Sequence, residues 1–96
     1  MIISVHSWKP IINYNGDCKD VAEYLAGHNG YEIADDIGYP TPGSLGTYGP
    51  EVLNCPVLTF ECPTLEDFDV KLSEIWEKNE SAFKGIFTDK VYKRFL

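Results

Sequence analysis

Val57-Leu58-Thr59-Phe60-Glu61-Cys62-Pro63 is an alternating, β-branched-rich run that ends on a carboxylate and is stopped by a proline. As a strand it puts Val57, Thr59 and Glu61 on one face and Leu58, Phe60 and Cys62 on the other. A carboxylate near the end of a buried strand costs free energy unless it has a partner or a task. In open α/β sheets, ligand sites lie just beyond the carboxyl ends of the strands. Glu61 is therefore the candidate chemical residue, and the rest of the chain is expected to place it.

Upstream, Ile2-Ile3-Ser4-Val5-His6-Ser7 has the same design, an apolar entry and a polar carboxyl end, and reads as a short buried strand. Trp8-Lys9-Pro10 breaks it, because proline removes a donor and biases its predecessor away from helix. Ile11-Ile12-Asn13-Tyr14 reads as a second extended piece closed by the Asn15-Gly16 turn signal. Asp17 is a good N-cap for a helix from Cys18. Val21, Ala22, Tyr24 and Leu25 form its apolar face, and Gly27 and Gly30 end it. Such a helix serves as the crossover between parallel strands.

Ile37 to Pro50 holds four glycines and three prolines in fourteen residues, too many for a regular element. A loop of that length in a compact domain is functional, mobile or a structural wrap. After the central strand, Thr64 with Asp67 three residues on predicts a capped helix. Leu65, Phe68, Leu72, Ile75, Trp76 and Phe83 form its apolar stripe, read as core packing. Gly85 ends or kinks that helix, and Thr88-Asp89 caps a final short one carrying Val91 and Phe95.

At 96 residues the chain is expected to be a single domain of ordinary globular composition, 44% hydrophobic and 24% charged. The formal charge of -7 disfavours nucleic acid and anionic membranes by repulsion. The basic tail Lys90-Val91-Tyr92-Lys93-Arg94 is too short to argue otherwise. No apolar stretch approaches the roughly 20 residues that span a bilayer. No signal-peptide pattern follows Met1, so a cytoplasmic location is expected. Cys18, Cys55 and Cys62 are odd in number and lack CxxC spacing, which reads as buried reduced thiols.

Of the two histidines, His28 closes a helix beside Asn29-Gly30 and reads as a solvated C-terminal residue. His6 alone reads as a satisfied core residue or as a metal ligand. Paired with Glu61 it gains meaning: two parallel strands ending on His6 and Glu61 bring both side chains to one sheet edge. Histidine is a common zinc ligand, and a nearby glutamate can act as general base on water.

Three stretches then resemble one family. Ser4-Val5-His6-Ser7-Trp8, followed by Ile11-Ile12-Asn13-Tyr14-Asn15-Gly16, resembles the Ser-x-His-Ser-aromatic strand and the next segment of zinc carboxypeptidases. Gly38-Tyr39-Pro40-Thr41-Pro42-Gly43-Ser44-Leu45-Gly46-Thr47-Tyr48 is similar to a loop of the bacterial murein-peptide amidase branch. Leu58-Thr59-Phe60-Glu61-Cys62-Pro63 is similar to that branch's catalytic strand end. The resemblance covers most of residues 2 to 80.

It implies an α/β fold: a truncated carboxypeptidase-like half-domain with a small, mainly parallel sheet, a crossover helix and a C-terminal amphipathic helix. It implies zinc as cofactor, His6 as the third zinc ligand and Glu61 as the catalytic, water-activating carboxylate. Ser7 and Trp8 would line the substrate groove. Tyr39, Gly43 and Ser44 would belong to the pocket for the C-terminal side of a peptide substrate, with Tyr39 near the place of the family's mobile capping tyrosine. The family's His-x-x-Glu ligand pair has no counterpart here; His28 is followed by Asn29-Gly30-Tyr31, and the sole arginine, Arg94, lies in the tail. The expectation is a chain inactive alone, joined by a complementary N-terminal half or assembled as a homo-oligomer. The alternative is a non-catalytic half-domain used as a binding or interaction module.

Overall fold

The computed structural model describes residues 1–96. Four strands, β1 (Ile2–Trp8), β2 (Ile11–Asn15), β3 (Glu32–Ala34) and β4 (Val57–Pro63), form one sheet in the order β1-β4-β2-β3. β1 pairs with β4 and β2 with β3 in parallel, while β2 runs antiparallel to β4, so the sheet is mixed but mostly parallel. Three helices, α1 (Lys19–Asn29), α2 (Leu45–Val52) and α3 (Leu72–Thr88), complete a small α/β fold, and a 3-10 turn, Val91–Phe95, closes the chain.

The face of the sheet carrying Ile12, Leu58 and Phe60 supplies the core. All three are fully buried, against Val21, Ala22 and Leu25 of α1 and Ala82 and Ile86 of α3. The ring of Phe60 packs tilted on Phe83 at 4.9 Å and on Tyr31 at 5.7 Å between centroids. As the β2-to-β3 crossover, α1 does what its apolar spacing predicts. Its cap differs. Cys18 is the N-cap, its thiol reaching the Asn15 and Val57 carbonyls at 3.6 Å, and burial pushes that thiol's pKa up. Asp17 instead accepts from the Arg94 guanidinium at 3.2 Å. Gly27 lies inside the helix, and Gly30, in the left-handed region at φ 72°, ends it.

Five other expectations are corrected. β1 is an edge strand with four exposed residues at its carboxyl end, not a buried one, while β4 is central as expected. Residues 45–52 are helical, because Ser44 accepts from the Thr47 N–H at 3.3 Å and starts a turn despite the glycines and Pro50. One of those glycines is required: a Cβ on Gly49 would occupy the place of the Val57 side chain. α3 begins at Leu72, not after Thr64. The Thr64 hydroxyl donates to Asp67 at 2.9 Å and holds a separate turn, and Asp69 at φ 48° breaks the helical path. Gly85 does not end α3 but sits where the Tyr24 hydroxyl leaves no room for a Cβ. The last turn is capped by Lys90, in the left-handed region, rather than by Thr88-Asp89.

The apolar stripe is also not a core stripe throughout. Ile75 and Phe83 are half-buried, whereas Leu65, Phe68, Leu72 and Trp76 are exposed. The buried positions of α3 are Asn79, Ala82, Gly85 and Ile86. Asn79 is held by a polar network: it accepts from Asn29 Nδ2 at 2.8 Å and donates to the Tyr31 hydroxyl at 3.0 Å. Buried amides need such partners.

Candidate functional site

The opposite face of the sheet is polar. β1 contributes Ser4 and His6, β4 contributes Thr59 and Glu61, and β2 contributes Ile11 and Asn13. The register aligns them in two rows, Ser4-Thr59-Asn13 and His6-Glu61-Ile11. Alternation fixes this: each residue lies two positions from its neighbour along the strand, so all face the same way. The loop before α2 and the start of that helix form a wall over them, giving a cleft of about 360 Å³.

His6 is the exposed member of the central pair. Its Nε2 lies 2.9 Å from Ser4 Oγ and its Nδ1 3.8 Å from Glu61 Oε1. The Glu61 side chain is only 13% exposed, and its Oε2 is buried without a hydrogen-bond partner. An unpaired buried carboxylate oxygen is costly and rare in native structures. It is the one buried side-chain polar atom without a hydrogen-bond partner.

The wall is tied together by its own hydroxyls. Thr47 Oγ1 donates to the Thr41 carbonyl at 2.9 Å, and Ser44 Oγ donates to Thr41 Oγ1 at 3.2 Å. Tyr39 and Ser44 reach the cleft from this wall, and Ser7 and Trp8 from the end of β1. Tyr39 is exposed at the rim. Gly43 does not line the cleft; at φ 82° it supplies the turn that leads into α2. Of the residues singled out in the sequence, His6, Glu61, Ser7, Trp8, Tyr39 and Ser44 thus meet around one cleft. Ser4, Asn13 and Thr59 were missed, although Ser4 and Thr59 stand two residues before His6 and Glu61 and share their faces.

On the far side of the strand end, Cys62 is pushed up in pKa by burial, with the Glu61 charge adding to the shift. It is no ready nucleophile. A catalytic zinc takes three protein ligands. No group of three or more His, Cys, Asp or Glu side chains converges anywhere in the chain, so its residues alone do not fit a catalytic zinc. No helix is long and apolar enough to cross a membrane. Comparison with protein-family models and with curated proteins found no match to the chain.

Proposed function

We propose that the chain is one part of a peptide-hydrolysing centre: it carries the general-base carboxylate, Glu61, the imidazole of His6, and the wall that receives the substrate's C-terminal end. The observation that carries this reading is the His6–Glu61 pairing in the cleft floor, 3.8 Å apart, with Glu61 Oε2 buried and unpartnered. A carboxylate so placed can take a proton from a water within hydrogen-bond reach. The resemblance of three stretches to zinc carboxypeptidases supports the same roles. Ser7 and Trp8 line the groove, Tyr39 stands at the rim, and Ser44 braces the wall through its hydroxyl, with Gly43 shaping the turn before it.

Zinc belongs to this proposal only together with ligands from a second polypeptide, since this chain does not hold a full set. The experiment is to mix the chain with a polypeptide that supplies a His-x-x-Glu half of this fold, add zinc, and follow release of C-terminal residues from peptides by mass spectrometry. Cleavage is expected in the mixture alone and is lost with Glu61→Gln while circular dichroism is unchanged. Cleavage that survives Glu61→Gln, or none in the complete mixture, overturns the reading.

A second reading, a non-catalytic interaction module, is favoured by a different observation. Val5, Leu65, Leu72 and Trp76 are exposed on the side of the sheet away from the cleft. Contiguous apolar surface of this kind marks contact sites. The two readings separate on zinc uptake by the mixture.

A further inference from the structure

We propose that β1 is a self-association edge, through which two copies of the chain pair antiparallel about Val5 and form one continuous eight-stranded sheet. This does not depend on the hydrolytic reading; it rests on the backbone and side chains of β1.

Ile2 N–H donates to the Pro56 carbonyl at 2.9 Å, on the β4 side. Backbone groups alternate in direction along a strand, so Ser4, His6 and Trp8 also turn theirs toward β4. Ile3, Val5 and Ser7 therefore turn their N–H and C=O groups outward, where no strand lies. Native edges are blunted by lysines, prolines, bulges or covering elements. β1 has none of these over seven residues: it is Ile-Ile-Ser-Val-His-Ser-Trp, and Lys9 and Pro10 come only after its end.

The sequence of β1 is complementary to itself when run backwards. Centring the pair on Val5 matches all seven residues, and outward-pointing positions meet outward-pointing ones. Val5 then faces the partner's Val5, and Ile3 and Ser7 exchange hydrogen bonds across the axis. On the cleft face Ile2 meets the partner's Trp8, apolar on apolar, and His6 meets the partner's Ser4, polar on polar. Shifting the register by two residues shortens the overlap and puts Ser4 or His6 against its own copy. Such cross-strand pairs are the unit of sheet stability. The partner's Ser4 also adds a hydroxyl to the His6–Glu61 row from its open side.

Stable interfaces bury about 800 Å² per partner, and a seven-residue strand is only about 23 Å long at ~3.3 Å per residue. The exposed apolar residues beside the edge, Leu72 and Trp76 on α3, supply further contact area on the same face as Val5. Charge works the other way. Each copy carries a net -7, though no acidic residue lies on β1 itself. The pairing is therefore expected to tighten as salt screens the repulsion.

Sedimentation equilibrium of the full chain tests this. The expected result is a reversible monomer–dimer equilibrium at micromolar concentration that shifts toward dimer as salt is raised. Val5→Lys, which sets two ammonium groups against each other, is expected to weaken association about tenfold or more, equivalent to roughly 1.4 kcal/mol. Val5→Pro removes an outward N–H without touching the β4 ladder and is expected to do the same, so the test survives if one variant misfolds. Val52→Ser, at an exposed position on α2, is expected to leave the dimer intact. A monomeric wild-type chain at high salt, or folded Val5 variants that dimerise as well as the wild type, overturns the proposal. None of these readouts depends on zinc or peptide cleavage.

Discussion

Glu61 carries a buried carboxylate oxygen without a hydrogen-bond partner. In the isolated chain Glu61→Gln is expected to leave stability unchanged or raise it by up to about 1 kcal/mol, since an amide costs less to bury than a carboxylate. Urea unfolding checks this; a loss well beyond that size would mean the carboxylate has a structural partner. A second residue-scale prediction concerns Arg94, whose guanidinium grips Asp20 at 2.6 Å and Asp17 at 3.2 Å. Its hydrogen bond holds the Asp20 carboxyl below the usual carboxylate range. A carboxyl whose folded pKa is depressed contributes stability above its unfolded pKa and loses it as pH falls through the folded one. Arg94→Ala should therefore lower stability at neutral pH and flatten its decline below the ordinary carboxylate pKa, as read from urea midpoints across pH. An unchanged acid limb would contradict it. At this scale the site is largely legible in sequence. Two-residue alternation in Val57–Pro63 and the matching polar end of β1 suffice to bring His6 and Glu61 together. Thr41 and Thr47, which brace the wall, carry no such pattern, because their hydrogen bonds depend on a turn whose shape local sequence does not encode.

Elements are where tertiary packing overrides local preference. α2 contains Gly46, Gly49 and Pro50, all poor in helix interiors. It forms because Ser44 caps it and because its close approach to β4 at Val57 admits only glycine at position 49. Gly49→Ala, good for an isolated helix, is expected to destabilise the protein by about 1–3 kcal/mol, the usual cost of overpacking. Thermal unfolding of the variant decides it, and a raised midpoint would show that α2 does not pack on β4 this closely. α3 makes the complementary case. Its apolar spacing predicts a core stripe, yet its most buried polar contact is Asn79, which joins Asn29 to Tyr31. Asn79→Ala strands two buried groups and is expected to cost about 2–6 kcal/mol at ~1–3 per group. An effect near zero would place that network in contact with water. The start of α3 departs from its sequence signal for a related reason: Thr64 and Asp67 have the chemistry of a cap but spend it on a separate turn, and Asp69 in the left-handed region forces a fresh start at Leu72.

The whole molecule is defined by which edge of its sheet is left open. Only 17 of 96 residues are buried, and large apolar side chains stay exposed along β1 and α3. The parallel β1–β4 pair and a crossover helix after β2 follow from periodicity and chain order, whereas the three-residue strand β3 carries no such signal. Strand order does not follow from them: β4 inserts between β1 and β2, which turns β1 from an expected buried strand into an exposed edge. That placement leaves a polar cleft open beside His6 and a free backbone edge beside Val5. We propose that His6 and Glu61 are half of a metal-dependent site completed by another chain. It is tested most directly by titrating zinc against the fluorescence of Trp8, which lines the cleft, with Trp76→Phe removing the other tryptophan. The chain alone should give little response, the mixture with a His-x-x-Glu half should give saturable uptake, and His6→Ala should abolish it. Equal zinc response with and without His6, or no uptake in the mixture, would contradict the account.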